Sequence, residues 1–410
     1  MLVVACLAAA GAQARDLTLA ESESLLVRSN RELQAARRAI ESSDAQRMIA
    51  GARPNATLSV NASSISDANA LEGQKRGADT VFRIDQPFER GNKRGLRLDA
   101  AGGLQRAARH DYLDVLRQQL ALLQGAYYDL KLAQEKAQTL AENAELFSGT
   151  LRAAERRLQA GDLAPADVAK VQVDYERAQN DARGAQADLA RAQIALAYLL
   201  ALDAEARELR AVEPWPALER AEPTAVEQAI DARPDVVAAR SRVEAAEKLR
   251  DLARAQRTRD VTIGAQYERW IPGSAPTSSF GLGVSVPLFT GYDFSGDIQK
   301  AEVDRYAALD ALARTRAVAR NELARAAADL NAAAERVERF EGSLLGAANR
   351  SAEASEFAFS RGAISVLEVL DARRTMRAVR LEALGARADY AKALAAWRAA
   401  QASVQALESR

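Results

Sequence analysis

The chain carries few of the side chains that perform catalysis or bind soft metal ions. Its 410 residues include one histidine, His110, one cysteine, Cys6, and three methionines. Nucleophilic catalysis needs a reactive side chain beside a base, and zinc or copper sites need several histidine, cysteine or methionine ligands. No glycine-rich loop of the phosphate-binding type is present. The sequence therefore predicts that the protein is not an enzyme and has neither a cofactor nor a metal centre.

Two carboxylates are notable for their spacing. Glu368 and Asp371 are three residues apart and follow a glycine, Gly362, in a stretch with a helical pattern. Residues at i and i+3 share one face of a helix. An earlier stretch is similar, because Asp167 follows Gly161 at the interval at which Glu368 follows Gly362. Taken alone, the pattern is typical of a solvated helix start, where the helix dipole favours acidic side chains.

Both glycines interrupt long, alanine-rich helical patterns that resume within a few residues. Glycine readily adopts the backbone conformation that ends a helix, so each interruption predicts a tight reversal between antiparallel helices. The sequence thus predicts two helical hairpins, with one tip near Gly161 and the other near Gly362.

The helix before each tip has a seven-residue apolar repeat. Such a repeat predicts coiled-coil packing, and alanines in it permit close approach of the helices. A helix of about 67 residues is roughly 100 Å long. The repeat in the first helix comprises Leu116, Leu123, Leu130, Ala137, Ala144, Leu151 and Leu158, with Phe147 and Ala154 among the partners. In the second it comprises Leu323, Leu330, Val337 and Leu344, with Phe340, Ala347 and Ala354 among the partners.

Similar segments recur at nearly constant intervals, which predicts an internal duplication. The segment 33–37 resembles 236–240 at an offset of 203 residues. Pro87 matches Pro287 at 200, and Gly161 matches Gly362 at 201. Capping-box patterns at residues 18–21 and 224–227 open the two copies. The predicted repeats are residues 16–201 and 224–405, joined by an irregular linker, residues 202–223.

Between the first helix and the hairpin of each copy, the apolar period changes from helical to two. Within residues 57–88 and 260–288, two stretches alternate apolar and polar side chains, and a polar or glycine-, proline- and serine-rich loop joins them. This pattern predicts one β-hairpin in each copy. Strands of about 9 to 11 residues can cross a membrane when tilted. A half-buried sheet in a soluble domain is the alternative, but the alanine-rich helices offer little bulk to cover it. Four strands cannot close a barrel in lipid, so closure requires several chains.

Composition bounds the class of protein. The 22 glycines and 10 prolines are few for this length, and aromatic residues make up 5% of the chain, which favours long helices. The 56 basic residues balance 56 acidic ones, so nucleic-acid binding is not predicted.

The first residues resemble an export signal. An apolar run precedes Ala12-Gln13-Ala14, which has the form of a signal-peptidase site, so residues 1–14 are predicted to be a signal peptide. Lipidation of Cys6 is the alternative, although a lipoprotein box normally ends the apolar run, and here the run continues. No later segment has the ~20 consecutive apolar residues of a membrane-spanning helix.

This order of elements, helix, β-hairpin and long helical hairpin, present twice in an exported chain, resembles the outer-membrane efflux proteins of Gram-negative bacteria, the TolC-like family. The most specific similarity lies in the tip segments, residues 161–168 and 362–372. Short stretches at 91–97, 233–235 and 260–264 are more similar to the cation-efflux branch typified by CzcC.

The resemblance implies a mainly α fold with a small transmembrane β part. In a homotrimer, twelve strands would form one shared β-barrel in the outer membrane, and twelve helices would form a periplasmic α-barrel. A periplasmic adaptor, or membrane fusion protein, and an inner-membrane pump of the resistance-nodulation-division (RND) type would complete the exporter. The predicted location is the outer membrane, with most of the mass in the periplasm.

The resemblance also assigns roles to the tips. Glu368 and Asp371, with Asp167, would form carboxylate rings at the closed end of the tunnel, where like charges repel one another and bind cations. The candidates for adaptor contact are two residues of each tip. These are Gly161, Leu163, Gly362 and Ile364.

Three functions remain open at this stage. The first is a passive exit duct for divalent heavy-metal cations, and the second is the same duct for drugs or for type I protein secretion. The third is a secreted coiled-coil structural protein, which would have no membrane strands. The composition of the predicted tunnel does not name a cargo.

Overall fold

The computed structural model describes residues 15–63, 79–222, 226–270, 275–361 and 363–409. The predicted signal peptide with Cys6, the cap residue Thr224 and the tip residue Gly362 lie outside these residues. In the first copy the elements are β1 Arg15–Leu17, α1 Leu19–Ser29, α2 Arg31–Gly51, β2 Thr57–Ser63, β3 Asp79–Phe88, α3 Lys93–Gln159 and α4 Pro165–Leu200. A 3-10 helix, Asp203–Glu208, and β4 Leu209–Ala211 follow. The second copy has α5 Val226–Asp231, α6 Pro234–Ala255, β5 Val261–Trp270, β6 Thr277–Ser285, α7 Ser295–Arg339, α8 Leu345–Ser360, α9 Val366–Ala400 and α10 Val404–Glu408.

Contacts divide the chain into two units. The first contains residues 1–36, 112–234 and 317–410, and the second contains residues 37–111 and 235–316. The first unit therefore holds the hairpin tips and most of the long helices, and the second holds the four-stranded sheet.

The sheet of the second unit joins the two hairpins. Its order is β2-β3-β5-β6, and all its neighbouring strands are antiparallel. The sequence predicted the hairpins but not the β3–β5 pairing that unites them. β6 ends at Ser285, which pairs with Thr262 near the first residue of β5. The predicted extension to Leu288 is therefore wrong. β5 has only Val261 beyond this pair, so residues 287 and 288 have no residue of β5 opposite them.

Strand alternation gives this sheet one apolar and one polar face. The apolar side chains are exposed, and the extreme cases are Phe280 at 85% and Leu282 at 89%. The others are Leu58, Val60, Phe82, Ile84, Ile263 and Val284. Contiguous apolar surface of this kind marks an interaction with lipid or another protein.

The junction between β3 and α3 brings together two of the motifs that resemble the cation-efflux branch. Gly91 has φ +72°, and a Cβ there would lie 2.8 Å from the Thr258 side chain, so glycine is needed for conformation and space. The Lys93 side chain is 4% exposed, and its ammonium donates to both carboxylate oxygens of Asp260 at 2.8 and 2.9 Å. This ion pair compensates the charge of the buried lysine.

In the first unit, α3 follows the predicted heptad. Leu116, Leu123, Leu130, Ala137 and Ala144 are all buried. The capping box of α1 is also present, because Thr18 and Glu21 exchange side-chain and backbone hydrogen bonds. The predicted coiled-coil pattern is therefore confirmed for the first copy.

The second copy departs from its predicted heptad at a π-helical turn, Phe340–Leu344. Leu330 and Val337 are buried as predicted, but Leu344, Ala347 and Ala354 are exposed. The buried positions after the turn are Ala348 and Ala352. A π-helical turn contains one more residue than an α-helical turn. It accounts for the increase in the offset between copies from 200 at Pro87 and Pro287 to 201 at the tips.

The described part of the linker, residues 202–222, is more ordered than predicted. β4 pairs in parallel with β1, and Tyr127 donates to the Leu17 carbonyl at 2.8 Å and accepts from the Glu213 amide at 3.0 Å. Tyr390 does the same in the second half of the linker, donating to the Ala217 carbonyl and accepting from the Glu219 amide. Two buried tyrosine hydroxyls thus hold the linker on the helices.

Candidate channel gate at the hairpin tips

The first tip has a Schellman motif, which ends α3 and lets the chain reverse. The Asp162 amide donates to the Arg157 carbonyl at 2.8 Å, and the Gly161 amide donates to the Leu158 carbonyl at 3.0 Å. Gly161 has φ +82°. A Cβ at this glycine would meet open space, so the residue is required for backbone conformation rather than for packing.

The second tip repeats one of these bonds at an offset of 201 residues. The Ala363 amide donates to the Ala358 carbonyl at 2.9 Å, as the Asp162 amide does to the Arg157 carbonyl. The same local device therefore ends the helix in both copies. The two copies therefore share a backbone hydrogen bond as well as similar sequence.

Glu368 and Ser365 form a capping box at the N-terminus of α9. Its carboxylate accepts from the Ser365 amide at 2.7 Å and from the Ser365 hydroxyl at 3.0 Å, while the Glu368 amide donates to that hydroxyl at 3.3 Å. The bond from the Ser365 amide, and then that from its hydroxyl, hold the pKa of Glu368 below its usual value. Because the folded pKa is lowered, this stabilisation is present at neutral pH and is lost as the pH falls through the lowered pKa.

The three predicted gate acids differ in their surroundings. Glu368 and Asp371 are both exposed, on the face of α9 opposite the buried Val369 and Leu370. Asp371 makes no ion pair within the part of the chain that is described. Asp167 lies one residue before the buried Val168 and forms an ion pair with Lys170 at 3.2 Å. Their gate role stays a prediction.

The two tips share one packing cluster. Leu163 of the first tip is half-buried against a core that includes Phe147, Val168 and, from α9, Leu370. An open cavity of about 700 Å³ lies beside it and is lined by Leu163, Leu370 and Arg373 among others. Ile364 is half-buried. The fold thus brings Leu163 to α9, while adaptor contact by Gly161, Leu163, Gly362 and Ile364 stays a prediction.

Two ion pairs between α4 and α9 were not predicted. Asp174, which is 6% exposed, accepts a hydrogen bond from Arg374, and Asp181 lies 3.6 Å from Arg377. The residues of the first pair are 200 positions apart, and nothing in their sequence context indicates that they meet. They connect the returning helices of the two hairpins just beyond the tips.

Arg374→Ala is expected to destabilise the first unit by about 1–3 kcal/mol, because it leaves the buried Asp174 carboxylate without its partner. Arg377→Ala removes an equal charge from the more exposed pair and should cost about 0–1 kcal/mol. Thermal unfolding followed by circular dichroism would measure both changes. Equal effects of the two variants would show that burial of Asp174 does not matter.

Comparison with known proteins then decides the family. The family model described as outer membrane efflux protein matches residues 24–202 and again residues 225–403. The chain belongs to the outer membrane efflux protein family. The two matches also confirm the predicted internal duplication of a mainly α fold.

Relatives of this efflux protein cover most of its length. It is 25% identical over 376 residues to the cobalt-zinc-cadmium resistance protein CzcC of Cupriavidus metallidurans, covering 90% of this chain and 86% of that one. It is 32% identical over 298 residues to protein CyaE of Bordetella pertussis, covering 68% and 61%. The crystal structure of the Campylobacter jejuni CmeC outer membrane channel superposes with a TM-score of 0.81 at 17% identity, covering 93% and 85%.

Family membership confirms several of the predictions. The protein is an outer-membrane efflux channel with most of its mass in the periplasm, and it is a transport duct rather than an enzyme. Within the described ranges, no helix has the length and apolar character needed to cross a bilayer. The same residues contain no group of three or more histidine, cysteine or acidic side chains that could hold a metal ion.

Proposed function

We propose that this efflux protein is the trimeric outer-membrane duct of a tripartite pump that exports divalent heavy-metal cations. The other components are a periplasmic adaptor and an inner-membrane RND-type pump. The observation that carries the cargo class is the match to a cobalt-zinc-cadmium resistance protein over 90% of the chain.

The sheet supports the trimer. β2 and β6 are its outer strands, so each has one edge without a partner strand within the described chain. Lipid offers no hydrogen bonds, so membrane strands must pair along every edge. Pairing β6 of one copy with β2 of the next joins twelve strands from three copies in a closed barrel. The exposed apolar face, which includes Phe280 and Leu282, then faces lipid.

The hairpin tips are consistent with a passive duct, in which the pump rather than the duct selects the cargo. In a trimer, Glu368 and Asp371 of each copy, with Asp167 nearby, form carboxylate rings that bind cations weakly and resist tight closure. A conduit of this kind needs no dedicated metal-binding cage. Gly161, Leu163, Gly362 and Ile364 serve as contacts for the adaptor.

Deletion of the gene tests the cargo. Cells that lack the protein should become severalfold more sensitive to zinc, cobalt and cadmium salts, and the wild-type gene should restore growth. Leu282→Asp, which puts a charge on the lipid-facing side, should fail to restore it, whereas Ser279→Asp on the polar face should succeed. Unchanged metal tolerance combined with altered sensitivity to dyes or antibiotics would contradict the metal cargo.

A further inference from the structure

The polar face of the four-stranded sheet carries a charge cluster that the duct function does not by itself explain. Cross-strand register places Arg83 beside Gln266, and Gln266 beside Gly281. One row along, Asp85 pairs with Gly264, and Gly264 with Gly283. Two adjacent rows thus combine charged or amide side chains on the central strands with glycines on β5 and β6.

Arg83 is held in one position within these rows. Its Nε donates to Asp85 Oδ2 at 2.7 Å, and its Nη1 donates to Gln266 Oε1 at 3.3 Å. The Arg83 and Asp85 side chains retain 33% and 25% exposure, so the pair is half-buried but in contact with solvent. A guanidinium tied at two of its nitrogens is a fixed rather than a mobile charge.

The glycines leave the space that this arrangement needs. A Cβ on Gly264 would lie 2.2 Å from Asp85 Oδ1 and 2.9 Å from Arg83 Nη2. A Cβ on Gly283 would lie 3.4 Å from the same Nη2. Neither glycine has a positive φ, so their role here is space and not backbone conformation. The guanidinium and the carboxylate therefore lie directly against the backbone at the two glycines.

Asp85 Oδ2 accepts the bond from Arg83, while Asp85 Oδ1 is buried and has no hydrogen-bond partner among the described residues. Alternation and register place two more acids, Asp79 and Glu268, on the same face. Within the described strands, Arg83 is the one cation of this face. The Asp85 carboxylate screens that cation.

We propose that Asp85 neutralises Arg83 and thereby keeps the membrane-spanning part of the channel selective for cations. The inference rests on the proposed function, because a closed twelve-strand barrel turns the polar face toward the water-filled lumen. Three copies of the pair then face passing ions. Asp85 masks the positive charge of Arg83, so that the remaining acids make the lumen favourable to small cations.

Purified trimers in planar bilayers, with a potassium chloride gradient across the membrane, provide the test. Arg83→Gln should raise the cation-over-anion permeability ratio by about twofold, because it removes a positive charge that lies near the ion path and repels cations. Asp85→Asn unmasks Arg83 and should lower the ratio by a similar factor. The double variant R83Q/D85N leaves the net charge unchanged and should return close to the wild-type ratio.

Gln266→Glu adds a carboxylate beside Arg83, keeps the acceptor of the Arg83 hydrogen bond and should raise the ratio. This variant keeps the test informative if R83Q or D85N fails to assemble. Arg269→Gln is the matched control. It removes one positive charge, as R83Q does, but Arg269 lies on the other face of the sheet, so the ratio should stay unchanged. Open channels whose ratio is unaffected by R83Q, D85N and Q266E would overturn the inference while leaving the duct intact. If wild-type trimers formed no channels, the proposed function itself would fail.

Discussion

Deleting Glu142 from α3 should destabilise the first unit severely, whereas deleting Gly342 from the π-helical turn should leave its stability near that of the wild type. Both residues are exposed, and they occupy matching places in the two copies at an offset of 200. The two deletions therefore differ mainly in the helix geometry that surrounds them.

The expected difference follows from helix periodicity. In regular α-helix, the loss of one residue rotates every later side chain by about 100° around the axis. Deletion of Glu142 would turn the buried Ala144, Phe147 and Ala154 away from their cluster. Loss of the buried Phe147 ring alone costs about 3–5 kcal/mol. Deletion of Gly342 removes the one extra residue of a π-helical turn, so Ala348 and Ala352 keep their buried positions.

Thermal unfolding of the two purified variants, followed by circular dichroism, measures the contrast. The variant without Gly342 should unfold within a few degrees of the wild type. If both deletions lowered the unfolding temperature equally, the π-helical turn would not be the site of the inserted residue.

The second large effect concerns the carboxylates at the start of α9. Glu368→Gln combined with Asp371→Asn should raise single-channel conductance or weaken block by multivalent cations. In the proposed trimer six negative charges would be removed from the tunnel end. If they line its axis as proposed, at least about a tenfold change in the blocking concentration is expected. Planar-bilayer recordings with increasing concentrations of a trivalent cation would measure it.

The choice of variants follows from the capping box. Glu368→Ala would remove a charge and also a helix cap, which stabilises by about 1 kcal/mol. Glutamine keeps the cap, because its side-chain oxygen can still accept from the Ser365 amide. Ser365→Ala is the matched control, since it weakens the cap and leaves every charge in place. A change in block with Ser365→Ala but not with the double variant would reassign Glu368 to the structure of the hairpin alone.

The sequence was sufficient for elements that depend on local periodicity. Alternation with a period of two indicated both hairpins, and the heptad indicated the seam of α3 through Leu123 and Leu130. Gly161 was predicted to turn the chain, and its positive φ explains why. The spacing of Ser365 and Glu368 also fits a capping box, which the predicted gate role of Glu368 did not include.

Other features depend on residues that are far apart in the chain. The β3–β5 pairing unites the hairpins, and Arg374 meets Asp174 across 200 residues. No local sequence pattern predicts either contact. The predicted seam was wrong after Phe340 for a related reason. One inserted residue leaves the heptad plausible in either register until packing selects one.

The amino-acid sequence by itself determined the kind of molecule, a duplicated set of strands and long helices, because periodicity and glycine placement act over a few residues. The tertiary structure decided how these pieces combine. It showed that Glu368 caps its helix while facing solvent, and that Arg83 and Asp85 lie over Gly264. Such relations arise from side chains brought together by packing and register, and a linear order of residues does not specify them.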